Sequence, residues 1–278
     1  MKKKRMYFRP KELVKEIRKN RKTFIVWMVL RVLVIGIAVR SAFAHQWERL
    51  FTCVLTLVLF LAPTFVEKRL RIKLPTVLEI TVLIFIFCAE VLGEIACFYI
   101  KYPLWDTMLH TVNGFLFAAF GFCLADLLNE NQHIRFQLSP NYLALTAFCF
   151  SMTIGIFWEF FEFSMDHFFM LDMQKDTVLT AFQSVTLDPT KQNIPVPVHD
   201  ITRTVIETAD GGQFIISGYL DIGLTDTLKD LFVNFIGAAV FSFIGRIYVR
   251  QRGKNKFAAA FIPVVEQREA PAPSEEAT

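Results

Sequence analysis

Four stretches of this sequence place ionisable side chains at helical spacing inside runs that are otherwise apolar. Glu90 and Glu94 lie four residues apart. Asp106, His110 and Asn113 follow at i, i+4 and i+7. Glu159, Glu162 and Asp166 fall at i, i+3 and i+7, with His167 next, and Asp226, Asp230 and Asn234 at i, i+4 and i+8. Each set occupies one helix face or close to it. Carboxylates with one or two His and no Cys suit zinc, manganese or ferrous iron; magnesium or calcium fit if His110 is not a ligand. A metal held by some of Asp106, His110, Glu159, Glu162, Asp226 and Asp230 would lower the pKa of bound water and polarise a phosphoryl or acyl oxygen. Glu159 or Glu162 could then serve as general base, with His110 beside them as the third catalytic candidate. Glu90, Glu94, Asn113, Asp166 and Asn234 are supporting candidates.

Each of these residues also has a structural reading. Asp106 and Asp226 stand where helices begin and could be N-caps. Asp166 and His167 could be interfacial and solvated. Trp105 and Trp158 suit an aromatic belt. Asn234 with Gly237 could be a helix-packing contact. Arg31 and Arg40 are either counter-ions to the acids or side chains that snorkel to an interface.

The elements that must position these groups are membrane spans. Apolar residues make up 54% of the chain, with thirty Phe, and charge is concentrated at the ends and in short connectors. A span needs roughly 20 mostly apolar residues. Six segments qualify: Thr23–Phe43, Arg49–Val66, Thr76–Ile100, Asp106–Leu128, Tyr142–Met165 and Asp226–Val249. Residues 1–22 hold eleven Lys or Arg, the connector 67–75 holds four more, and a basic run follows Val249. The positive-inside rule then puts both termini in the cytoplasm. The basic residues flank spans rather than line a folded face, so nucleic acid is not an expected partner.

This topology puts all four polar sets in the outer third of the bilayer, while Phe115–Ala125, Ala144–Phe157 and Phe235–Phe243 carry no ionisable side chain. A charged side chain at mid-span costs roughly 2.5–3.5 kcal/mol on insertion scales. Convergence on one pocket, with a shared cation or shared protons, is the simplest resolution.

The expected fold class is therefore an all-α polytopic membrane protein of about six helices, with a small extracytoplasmic β-rich insert between helices 5 and 6. Residues 1–22 form a basic interfacial segment, 23–170 the first five helices, 171–224 the insert, 225–250 the sixth helix and 251–278 a disordered cytoplasmic tail. Within the insert, Val178–Leu187 reads as a strand, and Ile201–Thr208 and Gln213–Ser217 flank the turn signal Ala-Asp-Gly-Gly. All five Cys lie inside apolar runs, with no C-x-x-C pair, and read as packing residues.

The stretches Tyr102-Pro-Leu-Trp-Asp-Thr-Met-Leu-His110, Phe157-Trp-Glu-Phe-Phe-Glu162 and Asp226-Thr-Leu-Lys-Asp230 with Asn234-Phe-Ile-Gly237 resemble the YjdF-type bacterial inner-membrane proteins. That resemblance implies a membrane fold and no particular activity. The same order of residues is similar, more weakly, to VanZ-like proteins, which are linked with glycopeptide (teicoplanin) resistance. Glu162 stands where a Gln is usual there, and the long insert is extra.

Three functions are compatible with the sequence. One is a metal-dependent hydrolase or transferase opening to the outer leaflet and acting on a lipid or lipid-linked envelope substrate. The second is a proton- or cation-coupled transporter, which the bare inner halves and the lack of an obvious discontinuous helix disfavour. The third is a non-catalytic envelope scaffold using the insert. No Ser nucleophile elbow, P-loop or H-E-x-x-H motif is present. The lipid bilayer is the one certain partner, and oligomeric state is not encoded in any motif.

Overall fold

The structure is a computed structural model and describes residues 21–70, 72–129, 138–251, 254 and 256–265. The interfacial helix expected before residue 21 and the tail after residue 265 lie outside the described residues. Among the described residues, six helices are long and apolar enough to cross a membrane: Arg21–Phe43, Trp47–Leu70, Thr76–Ile95, Trp105–Asp126, Pro140–Phe169 and Leu224–Arg250. They match the six expected spans, and small strand pairs fill the polar stretch between the fifth and sixth.

Two spans depart from simple α-helix. The second is helical over Trp47–Leu59 and again over Ala62–Leu70, with a break at Phe60–Leu61. Pro63 has no N–H to give the carbonyl one turn back, and Leu61 N–H instead donates to Val58 O at 2.9 Å. This discontinuity was not expected from the sequence. The third span turns from α-helix (Thr76–Ile86) into a π-helix over Phe87–Ile95, which carries Glu90 and Glu94. It ends earlier than expected, at Ile95. Cys97 then takes a left-handed conformation (φ 60) and a short helix, Phe98–Lys101, leads to the fourth span.

The chain divides into two compact units, residues 1–152 with 233–278 and residues 153–232. The first unit contains two apolar cores. Val34, Cys53, Phe60, Leu83 and Val91 join the first three spans. Ala118, Ala119, Phe122, Leu143, Ala147, Ala238 and Phe241 join the fourth, the start of the fifth and the end of the sixth. Small residues dominate this second core because close backbone approach, rather than water exclusion, drives helix association in lipid.

The C-terminal segment also belongs to the second core. Ala258 and Ile262 are buried in it, and the Phe261 ring meets the Phe115 ring edge-on at 5.1 Å. Strand β8 (Val264–Val265) pairs antiparallel with β1 (Ile72–Lys73). Composition assigned residues 256–265 to the disordered tail; they are ordered. Phe257-Ala-Ala-Ala-Phe-Ile-Pro-Val-Val265 is apolar but too short to span, and it folds back into the bundle instead.

In the second unit the strands form three two-stranded pairs. Val178–Leu179 (β2) pairs with Tyr219–Leu220 (β7), Phe182–Ser184 (β3) with Val196–Val198 (β4), and Thr204–Glu207 (β5) with Gln213–Ile216 (β6). The single strand expected over Val178–Leu187 is thus split. Its two halves take different partners, so the chain turns between them, and Val185–Leu187 is a 3-10 turn. The β5–β6 hairpin closes at the expected Ala-Asp-Gly-Gly turn, where Gly211 has φ 87 and Thr208 N–H donates to Gly212 O.

Candidate functional site

In the first unit the fourth and sixth spans cross at two glycines. A Cβ on Gly114 would run into the backbone carbonyl of Asn234, and one on Gly237 into that of Thr111. Ser151 of the fifth span donates to Gly114 O at 2.7 Å. Three spans are therefore pinned at one level. The Asn113 amide donates to Asn234 Oδ1 at 3.4 Å, and the Asn234 amide reaches Met152 Sδ at 3.6 Å. Both asparagines thus form part of this junction. One turn along the fourth span, His110 Nε2 lies 3.4 Å from Asp106 Oδ1. The helix begins at Trp105, so Asp106 sits within its first turn and points along the helix at His110.

In the second unit the fifth span is two-faced. Glu159 is 5% exposed, while its neighbour Phe160 is 61% exposed. Glu162 is buried as well, and Phe157, Phe161 and Phe163 are exposed. The Trp158 indole donates to Glu162 Oε1 at 2.9 Å, so this tryptophan is tied to an acid one turn away. The sixth span repeats the pattern: Asp226 and Asp230 are buried, whereas Leu228 and Phe232 face outward.

Asp226 is not an N-cap. Its Oδ2 accepts from Lys175 N–H at 2.9 Å, and its Oδ1 lies 3.5 Å from Lys229 Nζ. Lys229 also stands 4.0 Å from Asp230. The capping carboxylate is Asp221, which accepts from the N–H groups of Gly223, Thr225 and Thr177. Asp166 accepts from Met173 N–H at 2.6 Å and Gln174 N–H at 2.8 Å, closing the chain as it leaves the fifth span. His167 stacks on Phe163.

Sequence reasoning missed Lys229, Asp221, Ser151 and Met152. Lys229 had a signal, since it lies three residues from Asp226 and next to Asp230. Asp221 had one too, two residues ahead of Gly223 at a helix start. Ser151 and Met152 had none. In the first unit, Glu90 and Glu94 ride on the π-helix of the third span, a geometry that recurs at functional sites. The Arg31 guanidinium lies over the Trp27 ring at 3.9 Å, directed back one turn along its own helix.

A family model described as a predicted membrane protein matches residues 23–251. The chain belongs to the DUF2238 family. This is the family to which the YjdF-type resemblance pointed, and the match covers all six spans and the insert of this DUF2238 protein. The VanZ-like similarity is not shown. No curated protein and no solved structure matches the chain.

Proposed function

We propose that this chain is a metal-dependent hydrolase or transferase of the bacterial plasma membrane, acting on a lipid or lipid-linked envelope substrate. The observation that carries the reading is the two-faced character of the fifth and sixth spans, which turn Phe outward and Glu159, Glu162, Asp226 and Asp230 inward. Buried carboxylates in lipid are tolerated when a counter-charge or shared protons neutralise them.

Helix geometry sets where each polar group lies along its own span. At 1.5 Å per residue, His110 lies about 6 Å along its helix from Gly114, and Asp230 about 6 Å from Asn234. Glu159 lies about 12 Å along the fifth span from Ser151, on the side leading to the insert. On this reading Asp106 and His110, 3.4 Å apart one turn along the fourth span, would supply a carboxylate and an imidazole to the ion. The set suits zinc, manganese or ferrous iron. Bound metal would activate water and polarise the scissile group, and a carboxylate left off the metal would take the proton. Lys229 offers a partial counter-charge to Asp226 and Asp230.

The site opens outward, with both termini in the cytoplasm, on the strength of the basic 1–22, 67–75 and post-249 segments. Against transport stands the layer of Phe115, Phe122, Phe241 and Phe261, whose rings touch in series below the asparagines. The test uses the full chain reconstituted in phosphatidylethanolamine and phosphatidylglycerol vesicles with added manganese or zinc. Metal-dependent change in lipid mass, with no proton or metal flux, is the expected result. Ion flux without lipid conversion would overturn the reading.

A further inference from the structure

The exposed apolar stripe of the fifth span does not stop where the helix stops. Phe157, Phe160, Phe161 and Phe168 are exposed at i, i+3, i+4 and i+11, and exposure continues through Phe169 to Met170, at 87%, and Leu171. The sixth span is approached in the same way. Ile222, 79% exposed, and Leu224 lead into Leu228 and Phe232.

The backbone at both sites is held in an uncommon conformation. Met170 has φ 56 and Ile222 φ 48. A left-handed backbone is unfavourable for a β-branched residue and persists only where neighbouring contacts impose it. Those contacts are polar and link the two chain segments. Gln174 donates to Thr227 Oγ1 at 2.6 Å, Lys175 N–H to Asp226, and Thr177 N–H to Asp221. Hydrogen bonds thus fix both turns while the large apolar side chains of Met170 and Ile222 remain uncovered.

We infer that Met170, Leu171, Ile222 and Leu224 form a lipid-docking collar that seats the base of the insert in the headgroup layer. The lipid-facing stripes run into the collar through Ser164, His167 and Thr225, small or amphipathic residues of the kind found at headgroup depth, and this continuity makes lipid its occupant. Length sets the depth. The fifth span has 30 residues, about 45 Å at 1.5 Å per residue, against roughly 30 Å of hydrocarbon and 40–45 Å with headgroups. Its end therefore reaches the headgroups. The inference does not depend on the enzymatic reading and survives if that reading fails.

The experiment places single nitroxide labels on the full chain, with the five native Cys replaced, in phosphatidylethanolamine and phosphatidylglycerol nanodiscs. Met170→Cys and Ile222→Cys should relax more with oxygen than with a water-soluble nickel chelate, at shallow depth. Thr208→Cys, on the exposed hairpin, should show the reverse. Leu171→Cys and Leu224→Cys provide a second pair should either first variant fold poorly. Collar labels as open to nickel as Thr208→Cys would overturn the inference. So would labels closed to both reagents, which would mean that protein covers the collar.

Discussion

Glu159 and Phe160 are sequence neighbours in opposite environments, and the acids of this chain divide in a similar way. Asp166, Asp188 and Asp221 are spent on backbone N–H groups of the insert, whereas Asp106 faces His110 and Asp230 faces Lys229; Asp226 does both, accepting from Lys175 N–H and standing beside Lys229. Asp188 is the fullest case of the first kind. It accepts from the Thr190 hydroxyl and from the N–H groups of Thr190, Gln192 and Ile194, and is covered by its own loop. The Thr190 hydroxyl is the largest cause of a pKa taken from the ordinary 3.8 down to about 2; burial opposes it, and the three backbone donors add to the lowering. A lowered folded-state pKa means the loop is stabilised fully above 3.8 and loses that support as pH falls through about 2. Hydrogen exchange should therefore show the Thr190, Gln192 and Ile194 amides protected at pH 5 and released near pH 2, and Asp188→Ala should release them at every pH. For the second kind, Trp158→Phe removes the indole donor from Glu162. It should cost about 0.5–1.5 kcal/mol in a chemical unfolding titration, the net worth of one intramolecular hydrogen bond.

At the level of elements, the glycine crossing is the most demanding contact in the first unit. Gly114→Ala and Gly237→Ala each push a methyl group into a facing backbone carbonyl. Each should lower stability by about 1–3 kcal/mol in detergent unfolding, as overpacking does. Gly36, whose Cβ would meet nothing, is the control and should tolerate Ala. The C-terminal segment makes a parallel prediction. Ile262→Ala should cost about 2–5 kcal/mol, the range for a large aliphatic side chain removed from a core. If residues 256–265 were a loose tail, that change would leave unfolding unaltered.

The elements also show what a sequence exposes to reading. Six spans were legible because hydropathy over about 20 residues is a strong signal, and the hairpin because Asp210-Gly211 is a specific turn signature. The π-helix at Phe87–Ile95 was not legible, since its residues would fit an α-helix equally well. The break in the second span could have been read from Pro63. The re-entry of residues 256–265 was hidden by the polar residues around a nine-residue apolar run.

Along the fifth and sixth spans, Glu159, Glu162, Asp226 and Asp230 fall toward the insert, and the small residues Ala147 and Ala238 lie further along the chain from it. That grouping was legible in the sequence, because the fifth span carries its acids late and the sixth carries its acids early, on either side of the insert. Which acid serves the insert and which is held inside the bundle was not, because it depends on the path of residues 170–177 and 221–227. Asp166 and Asp226 look alike as letters. Asp166 accepts from the N–H groups of Met173 and Gln174, while Asp226 accepts from the next one, Lys175 N–H, and also stands 3.5 Å from Lys229 Nζ.

The claim on which the functional account depends is that a divalent ion makes this carboxylate group tolerable. Elemental analysis of protein purified in detergent, then dialysed against manganese or zinc and freed of loose metal, measures it directly. Native protein should retain a stoichiometric ion, and His110→Ala should lose it while keeping the helical circular dichroism of the native fold. Native protein that retains no metal, or a His110→Ala variant that retains as much, would contradict the account.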